Sequence, residues 1–339
     1  MKQALMTAPG EITIHEIEAP KPGRDEVLLH IKRIGVCGSD VHVFHGLHPY
    51  TSYPVVQGHE YSATLAAVGE GVKGLTPGMN VTSMPQIVCG KCAPCLRGDY
   101  HICDYLKVQG FQAPGCAQEY WVTDANTIVP LPDSFSFEQG ALVEPVSVAV
   151  HSSSRAGNIE GRRVAVLGAG PIGNLVAQVA RANGAQVLIT DLSDYRLEIA
   201  QQCGLDGTSN AAKENLAEAA GRIFGSDGFD VVFECVGVED TMTSAIENIQ
   251  KGGTIVVVGV FGEKPRVDMG LVQDRELNLH GTLMYKRPDY ERAVDLINSG
   301  AVVTAPLFSK HFSMDDYIEA YHFIDTQRDK TMKVFIDVA

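Results

Sequence analysis

The sequence predicts an α/β protein in two parts. A β-rich region runs to about residue 130, and a doubly wound parallel sheet occupies about 160–281. Three observations predict it. Short stretches of alternating polar and apolar residues, such as 11–17, recur through the first part. From Val164 onward, apolar runs of strand length alternate with helical stretches. A glycine-rich turn, Gly168-Ala169-Gly170-Pro171-Ile172-Gly173, joins the first of those runs to the first of those helices.

The elements follow in order. Residues 11–17 and 26–31 read as strands around the turn Pro20-Lys21-Pro22-Gly23. Residues 61–68 read as a strand ending at Gly69-Glu70-Gly71, and Trp121-Val122 and Ile128-Val129 as short strands. Ser136-Phe137-Glu138-Gln139 has the spacing of a capping box and starts a helix, with Pro145 in an early turn or at a bend. Strands are expected at 164–167, 186–190, 230–234 and 254–258, with a weaker unit near Gly207-Thr208. Helices are expected at 174–183, through Arg196 and Ile199, and at 240–249. Beyond Gly281 come helices at 290–298 and 314–324 and a strand at 333–336.

The 339 residues suffice for two cores, and 45% hydrophobic with 20% charged residues is the balance of a soluble globular protein. A net charge of −14 without a basic stripe argues against nucleic acid or an anionic membrane as partner. The first residues lack the apolar run of a signal peptide, so a cytoplasmic protein is expected.

Three constellations carry chemistry. In the first, the glycines let backbone N–H groups approach a pyrophosphate at a helix N-terminus, and Asp191, ending the next strand, can accept from both hydroxyls of a ribose. That favours NAD over NADP, although Arg196 nearby could serve a phosphate. In the second, Cys89, Cys92, Cys95 and Cys103 can close a tetrahedral zinc shell with no open position. A redox pair is the rival, but it wants two cysteines at a helix start. In the third, Cys37 to Glu60, a thiol, an imidazole and a carboxylate supply the ligand types of a catalytic zinc. On spacing alone, Cys37 could equally be a small buried hydrophobe and His59 a satisfied core histidine.

Taken together in this order, Cys37-Gly38-Ser39-Asp40-Val41-His42, Gly58-His59-Glu60, the cysteine quartet, Leu142-Val143-Glu144-Pro145 and the glycine-rich turn resemble the zinc-containing medium-chain dehydrogenases. The similarity covers essentially the whole chain and is greatest to the sorbitol (polyol) and threonine dehydrogenase branch. It implies a GroES-like catalytic domain over 1–148 with a structural zinc lobe at 85–105. A Rossmann NAD-binding domain would follow over 149–282, with a return to the catalytic domain over 283–339 and an active site between the two.

The resemblance further implies two zinc ions per chain. Cys37 and His59 would ligate the catalytic one, with Glu60 and Glu144 sharing the remaining positions with water and substrate, and Asp40 would orient His59. Ser39 and His42 match the family's proton relay, through which a substrate hydroxyl would lose its proton before hydride passes to the nicotinamide. Val236, Val258, Val260 and Leu283 would join Gly168, Gly170, Pro171, Ile172, Gly173, Asp191 and Arg196 around the cofactor.

The chain departs from the polyol pattern at Val43, where an aromatic hydroxyl is usual, at Met284-Tyr285 in place of Arg-Tyr, and at Cys116 in place of a small residue. Val43, Phe44, Val108, Phe111, Met284 and Tyr285 are the candidate pocket lining, with core packing the plainer reading of each. The expected activity is NAD-dependent and zinc-dependent oxidation of a secondary alcohol on a polyol, sugar acid or related small molecule. A threonine-like amino alcohol or small diol is the alternative substrate. A non-catalytic zinc and dinucleotide binder is the alternative class. The family suggests a homo-tetramer or homo-dimer, with an edge near Leu277-Asn278-Leu279 as a usual contact.

Overall fold

The computed structural model describes residues 1–225 and 228–339. The chain divides into two compact units. Unit 1 holds residues 1–144, 286–294 and 308–339, and unit 2 holds 145–285 and 295–307.

Unit 1 is built on strands. A hairpin of β1 (Lys2–Ala8) and β2 (Glu11–Glu16) is followed by the long β3 (Glu26–Gly35) and the short helix α1 (Gly38–Phe44). Next come β4 (Glu60–Val68), β5 (Asn80–Ser83) and a small lobe made of β6 (Gln86–Ile87), α2 (Ala93–Leu96) and β7 (Lys107–Val108). β8 (Tyr120–Asp124), β9 (Ile128–Pro130) and α3 (Phe137–Ala141) complete the N-terminal part, α3 starting at the expected capping box on Ser136 and Gln139. The helix α4 (Val143–Arg155) begins in unit 1 and carries Pro145 in its first turn, where a missing N–H costs nothing.

Unit 2 continues with β10 (Arg163–Leu167), α5 (Pro171–Ala182), β11 (Gln186–Asp191), α6 (Asp194–Gln202), β12 (Thr208–Asn210) and α7 (Leu216–Phe224). It goes on through β13 (Val231–Glu234), α8 (Glu239–Asn248), β14 (Thr254–Val257), α9 (Met269–Asp274) and β15 (Asn278–Gly281). The six strands run parallel in the order β12-β11-β10-β13-β14-β15, the doubly wound order with its reversal between β10 and β13. Their alternation of apolar strand and helix is what the sequence predicted. Most of these boundaries differ by a residue at most; the largest shift among them is that α5 starts at Pro171, not at 174, because proline takes the first helical position directly after the turn.

The chain ends with α10 (Arg287–Asn298), β16 (Phe308–Ser313), α11 (Tyr317–Gln327) and β17 (Lys333–Asp337). Residues 295–307 go with unit 2 rather than with the rest of the C-terminal part; there the Val303 N–H donates to the Gln178 side chain at 2.7 Å. β17 and β16 extend the sheet of unit 1, whose order is β16-β17-β3-β4-β5-β9 with β8 also on β3. The registers are what matter for function. Gly35 stands opposite Glu60 on one side and Phe335 on the other, so Glu60, the end of β3 and the start of β17 meet at one spot. Behind that spot lies the core of unit 1, with Ile34, Val36, Val43, Phe44, Tyr61, Tyr317 and Tyr321.

Candidate metal and dinucleotide sites

Cys37 leaves β3 and becomes the N-cap of α1; Asp40, three residues on, turns back so that its Oδ2 accepts from the Cys37 N–H at 3.0 Å. The other oxygen of Asp40 lies 3.6 Å from His59 Nδ1. That is an ion-pair contact, too long for a good hydrogen bond. Asp40 and His59 are both buried. Ligand atoms of Cys37, His59 and Glu60 lie within 4.8 Å of one another. Burial pushes the His59 imidazole towards its neutral form, but the Asp40 charge, with Cys37 adding to it, outweighs this and holds its pKa well above the usual value. A buried imidazole between a carboxylate and a thiol is a position a divalent cation would stabilise, with Nδ1 turned to Asp40 and Nε2 left for the ligand bond.

Glu60 has a second partner that sequence reasoning missed. Lys333 Nζ donates to both Glu60 oxygens, at 2.6 and 2.9 Å, and to the Val36 carbonyl at 3.2 Å. The lysine is buried, which alone would lower its pKa; Glu60, Cys37 and Glu144 reverse that and raise it, so it stays charged. The pocket for this pair exists because residue 35 is glycine: a Cβ there would stand 2.5 Å from Glu60 Oε2. Glu144, buried in the first turn of α4, contributes to the field on Lys333 but is outside the 4.8 Å group. A lysine opening the apolar run Lys333-Val334-Phe335-Ile336 was the one sequence signal for this pairing.

Ser39 and His42 lie in α1, half-buried and exposed respectively, three residues apart and so on one side of the helix. Of the expected lining in unit 1, Phe111 reaches the cluster: its ring packs on His59 at 4.9 Å and stacks on His48 at 4.8 Å. Val43 and Phe44 sit in the hydrophobic core, Phe44 against the ring of Tyr321, and Val108 packs against that core. The plainer reading, packing, describes where these three lie. Met284 and Tyr285 belong to unit 2, Tyr285 fully buried and Met284 in a left-handed turn at φ 51°. Cys116 is fully buried, and burial pushes its thiol well up, so it is inert at neutral pH.

The quartet occupies the lobe. Ligand atoms of Cys89, Cys92, Cys95 and Cys103 lie within 4.8 Å of one another, and Cys92 Sγ is 3.7 Å from Cys103 Sγ. Four sulfurs each ~2.3 Å from a central zinc stand about 3.8 Å apart, so the spacing fits that metal and excludes a bonded disulfide pair. Backbone N–H groups of Cys89 and Tyr105 donate to Cys103 Sγ, and that of Cys92 to Cys89 Sγ, each at 3.3 Å. Donors from the Lys91 and Cys92 backbone draw the Cys89 pKa down to about 6, whereas burial and the neighbouring thiols push Cys95 up to about 12. Cys89 thus favours the thiolate and Cys95 resists it until a cation neutralises the charge.

In unit 2 the glycine-rich turn has a different role at each glycine. Gly168 has φ 96°, and a Cβ on Gly173 would lie 1.9 Å from the Gly168 carbonyl, so helix and strand pack too closely for any side chain. A Cβ on Gly170 would meet only Arg196 Nη1, at 3.8 Å; the space above the α5 N-terminus is open. Pro171 and Ile172 form the first turn of that helix. Asp191 is held by the Ala169 and Ser193 N–H groups, at 2.7 and 2.9 Å, with Arg196 at 3.8 Å. Val236, Val260 and Leu283 are exposed and Val258 half-buried, just past the carboxyl ends of β13, β14 and β15. The arrangement fits a dinucleotide: an anion cradle, a diol acceptor and apolar side chains left for a ring to cover.

Residues 23–133 match the alcohol dehydrogenase GroES-like domain, and 171–299 match the zinc-binding dehydrogenase family. The chain is 38% identical to a 2-dehydro-3-deoxy-L-galactonate 5-dehydrogenase of Pseudoalteromonas atlantica, over 91% of this chain and 89% of that one. Among solved structures it is similar to a zinc-binding dehydrogenase of Sinorhizobium meliloti bound to NADP, at 29% identity and a TM-score of 0.91, over 99% of each chain. It is also similar to an alcohol dehydrogenase of Escherichia coli in complex with NADH, at 28% identity and 0.92, over 100% of this chain and 99% of that one.

Proposed function

Because the chain belongs to the zinc-containing medium-chain dehydrogenase family, we propose that it moves hydride between NAD and a secondary alcohol of a polyol or sugar acid, using Cys37 and His59 as metal ligands. The observation that carries the reading is the convergence of Cys37, His59 and Glu60 within 4.8 Å, braced by Asp40 and Lys333. A zinc ion held there supplies Lewis acidity, which lowers the pKa of a hydroxyl presented to it.

The residues of the chain divide the remaining work. Asp40 turns His59 Nδ1 away from the metal position and fixes its ring. Lys333 holds both oxygens of Glu60 beside the ligands, and Glu144 supplies a second carboxylate at the position that the family shares with water and substrate. Ser39 takes the hydroxyl proton and passes it along α1 to His42, whose exposed ring gives it to solvent. The α5 N-terminus and Gly170 receive the pyrophosphate, and Val236, Val258, Val260 and Leu283 flank the nicotinamide half. Asp191 accepts from the ribose diol and would repel a 2′-phosphate; with Arg196 drawn to Asp191, NAD is preferred over NADP.

Cys89, Cys92, Cys95 and Cys103 would hold a second zinc, which would tie the lobe together. Phe111 supplies an apolar wall beside His59, which suits a substrate with few hydroxyls on that side. The relative that is 38% identical acts, by its name, on a 3-deoxy sugar acid, a class with fewer hydroxyls than sorbitol. Thiols kept free for metal suit the cytoplasm. Among the described residues no helix is long and apolar enough to cross a membrane. Assembly as a dimer or tetramer would use the β15 edge of the parallel sheet, which light scattering would register.

The test is a substrate panel. Purified protein is given NAD with polyols, aldonates, L-threonine or butanediol, and NADH absorbance is followed with and without a chelator. Chelator-sensitive turnover on polyols or aldonates is the expected result; turnover confined to threonine or butanediol would move the substrate class. His59→Ala should abolish turnover and leave NAD binding intact, and surviving activity would sink the metal assignment.

A further inference from the structure

Behind His59 a buried hydrogen-bonded chain reaches the C-terminal helix, and no motif announced it. Tyr321 in α11 donates its hydroxyl to Gln57 Oε1 at 2.8 Å. The Gln57 amide then faces Asp40, with Nε2 at 3.3 Å from the Asp40 carbonyl and 3.5 Å from its Oδ1. That same Oδ1 faces His59 Nδ1, and Oδ2 takes the Cys37 N–H. All four side chains are at least nine-tenths buried, so each polar atom must be satisfied from within the protein.

The chain has one direction. A phenol hydroxyl that donates to the glutamine requires its carbonyl oxygen on the Tyr321 side, which puts the NH₂ on the Asp40 side. Glutamine is thus a donor where Asp40, an acceptor with two oxygens, needs one. Tyr321 and Gln57 stand 264 positions apart, and the Tyr321 ring is itself wedged between Phe44 of α1 and Tyr317.

We propose that Gln57 and Tyr321 are positioning residues of the metal site: through Asp40 they fix the His59 ring and the Cys37 backbone in the geometry that binds the ion. The proposal rests on the reading of Cys37 and His59 as metal ligands. It extends that reading to a coupling between the site and α11, so that the C-terminal helix sets metal affinity.

Zinc is removed and returned, and the affinity of each site is measured by chelator competition in the parent protein, Tyr321→Phe, Gln57→Leu and the double variant. Loss of a partner behind a ligating histidine costs metal affinity about 10-fold to 100-fold. Each single variant should therefore bind about tenfold more weakly at the Cys37 site and unchanged at the quartet. The double variant should fall no further than the weaker single one, since one chain is broken either way. Tyr321→Phe removes a single oxygen and carries the test if Gln57→Leu does not fold. Parent-like affinity in Tyr321→Phe, or single effects that multiply in the double variant, overturns the proposal. A lower melting temperature with unchanged affinity marks plain packing and overturns it too. His59→Ala is the control. If it keeps the metal, the site reading falls and takes this proposal with it; if it loses the metal while Tyr321→Phe does not, only the proposal falls.

Discussion

Unit 1 holds two clusters of side chains that could hold a metal ion, and they are built in opposite ways. The quartet draws all its ligands from residues 89–103, with backbone N–H groups of the same loop as supports. The Cys37 cluster takes Cys37 from the N-cap of α1, His59 from just before β4 and Glu60 from its start, and its supports come from α1, Gln57, α11 and the start of β17. One is a local staple of four thiols. The other is a buried, mixed set of donors that only a finished sheet can assemble. A closed shell suits a site that holds structure, whereas an incomplete shell leaves room for a reacting molecule.

The largest effect that would separate the two is loss of a quartet ligand. Structural zinc contributes ~10 kcal/mol to small zinc-dependent folds. Cys92→Ser should therefore cut bound zinc from two ions to one, open residues 85–105 to protease and impair folding. If Cys92→Ser retains both ions, the quartet is not a closed shell. Next is Lys333→Met. It leaves Glu60 buried without a counter-charge, which costs about 3–5 kcal/mol in a buried pair. The loss should appear in denaturation of zinc-free protein and shrink when zinc is restored, because the ion replaces the lost cation. An equal loss in both forms would detach Lys333 from the metal site. Asp40→Asn should be milder for folding; metal affinity should fall about 10-fold to 100-fold at the Cys37 cluster and not at the quartet.

What the sequence disclosed follows the same division. The quartet was legible because its spacing is its geometry. The parallel sheet was legible because each βα unit repeats one pattern, whereas the order of its strands came only with the structure. Cys37, His59 and Glu60 could be named as ligand types, but their supports could not. Lys333 is brought to Glu60 by two strand registers, and Tyr321 to Gln57 by the docking of α11; neither is encoded in local spacing. Some elements also escaped. The seven-residue α1 opens on Gly38 and Ser39, poor helix formers, and exists because Asp40 caps it. β1 and β16 have only short alternating patterns and take their structure from their partners, β2 and β17.

The smallest effect tests how the lobe is fastened rather than how it is filled. Lys286, beside α10, reaches Asp99 of the lobe at 2.8 Å, and the next residue's N–H donates to the Tyr100 hydroxyl at 2.7 Å. The Lys286 hydrogen bond, then its charge, draws the Asp99 pKa below the usual carboxylate range. A carboxylate with a depressed folded-state pKa stabilises above its unfolded value, near 3.9, and loses that contribution as pH falls through the folded one. Both side chains are about one-third exposed, so solvent and salt screen the pair. Lys286→Ala should thus leave zinc content and turnover unchanged, and shift the melting temperature little at pH 7 and progressively less as pH falls through the lowered Asp99 pKa. A loss of quartet zinc in that variant would show that the lobe depends on its neighbours, and the contrast between a self-contained site and a dependent one would fail.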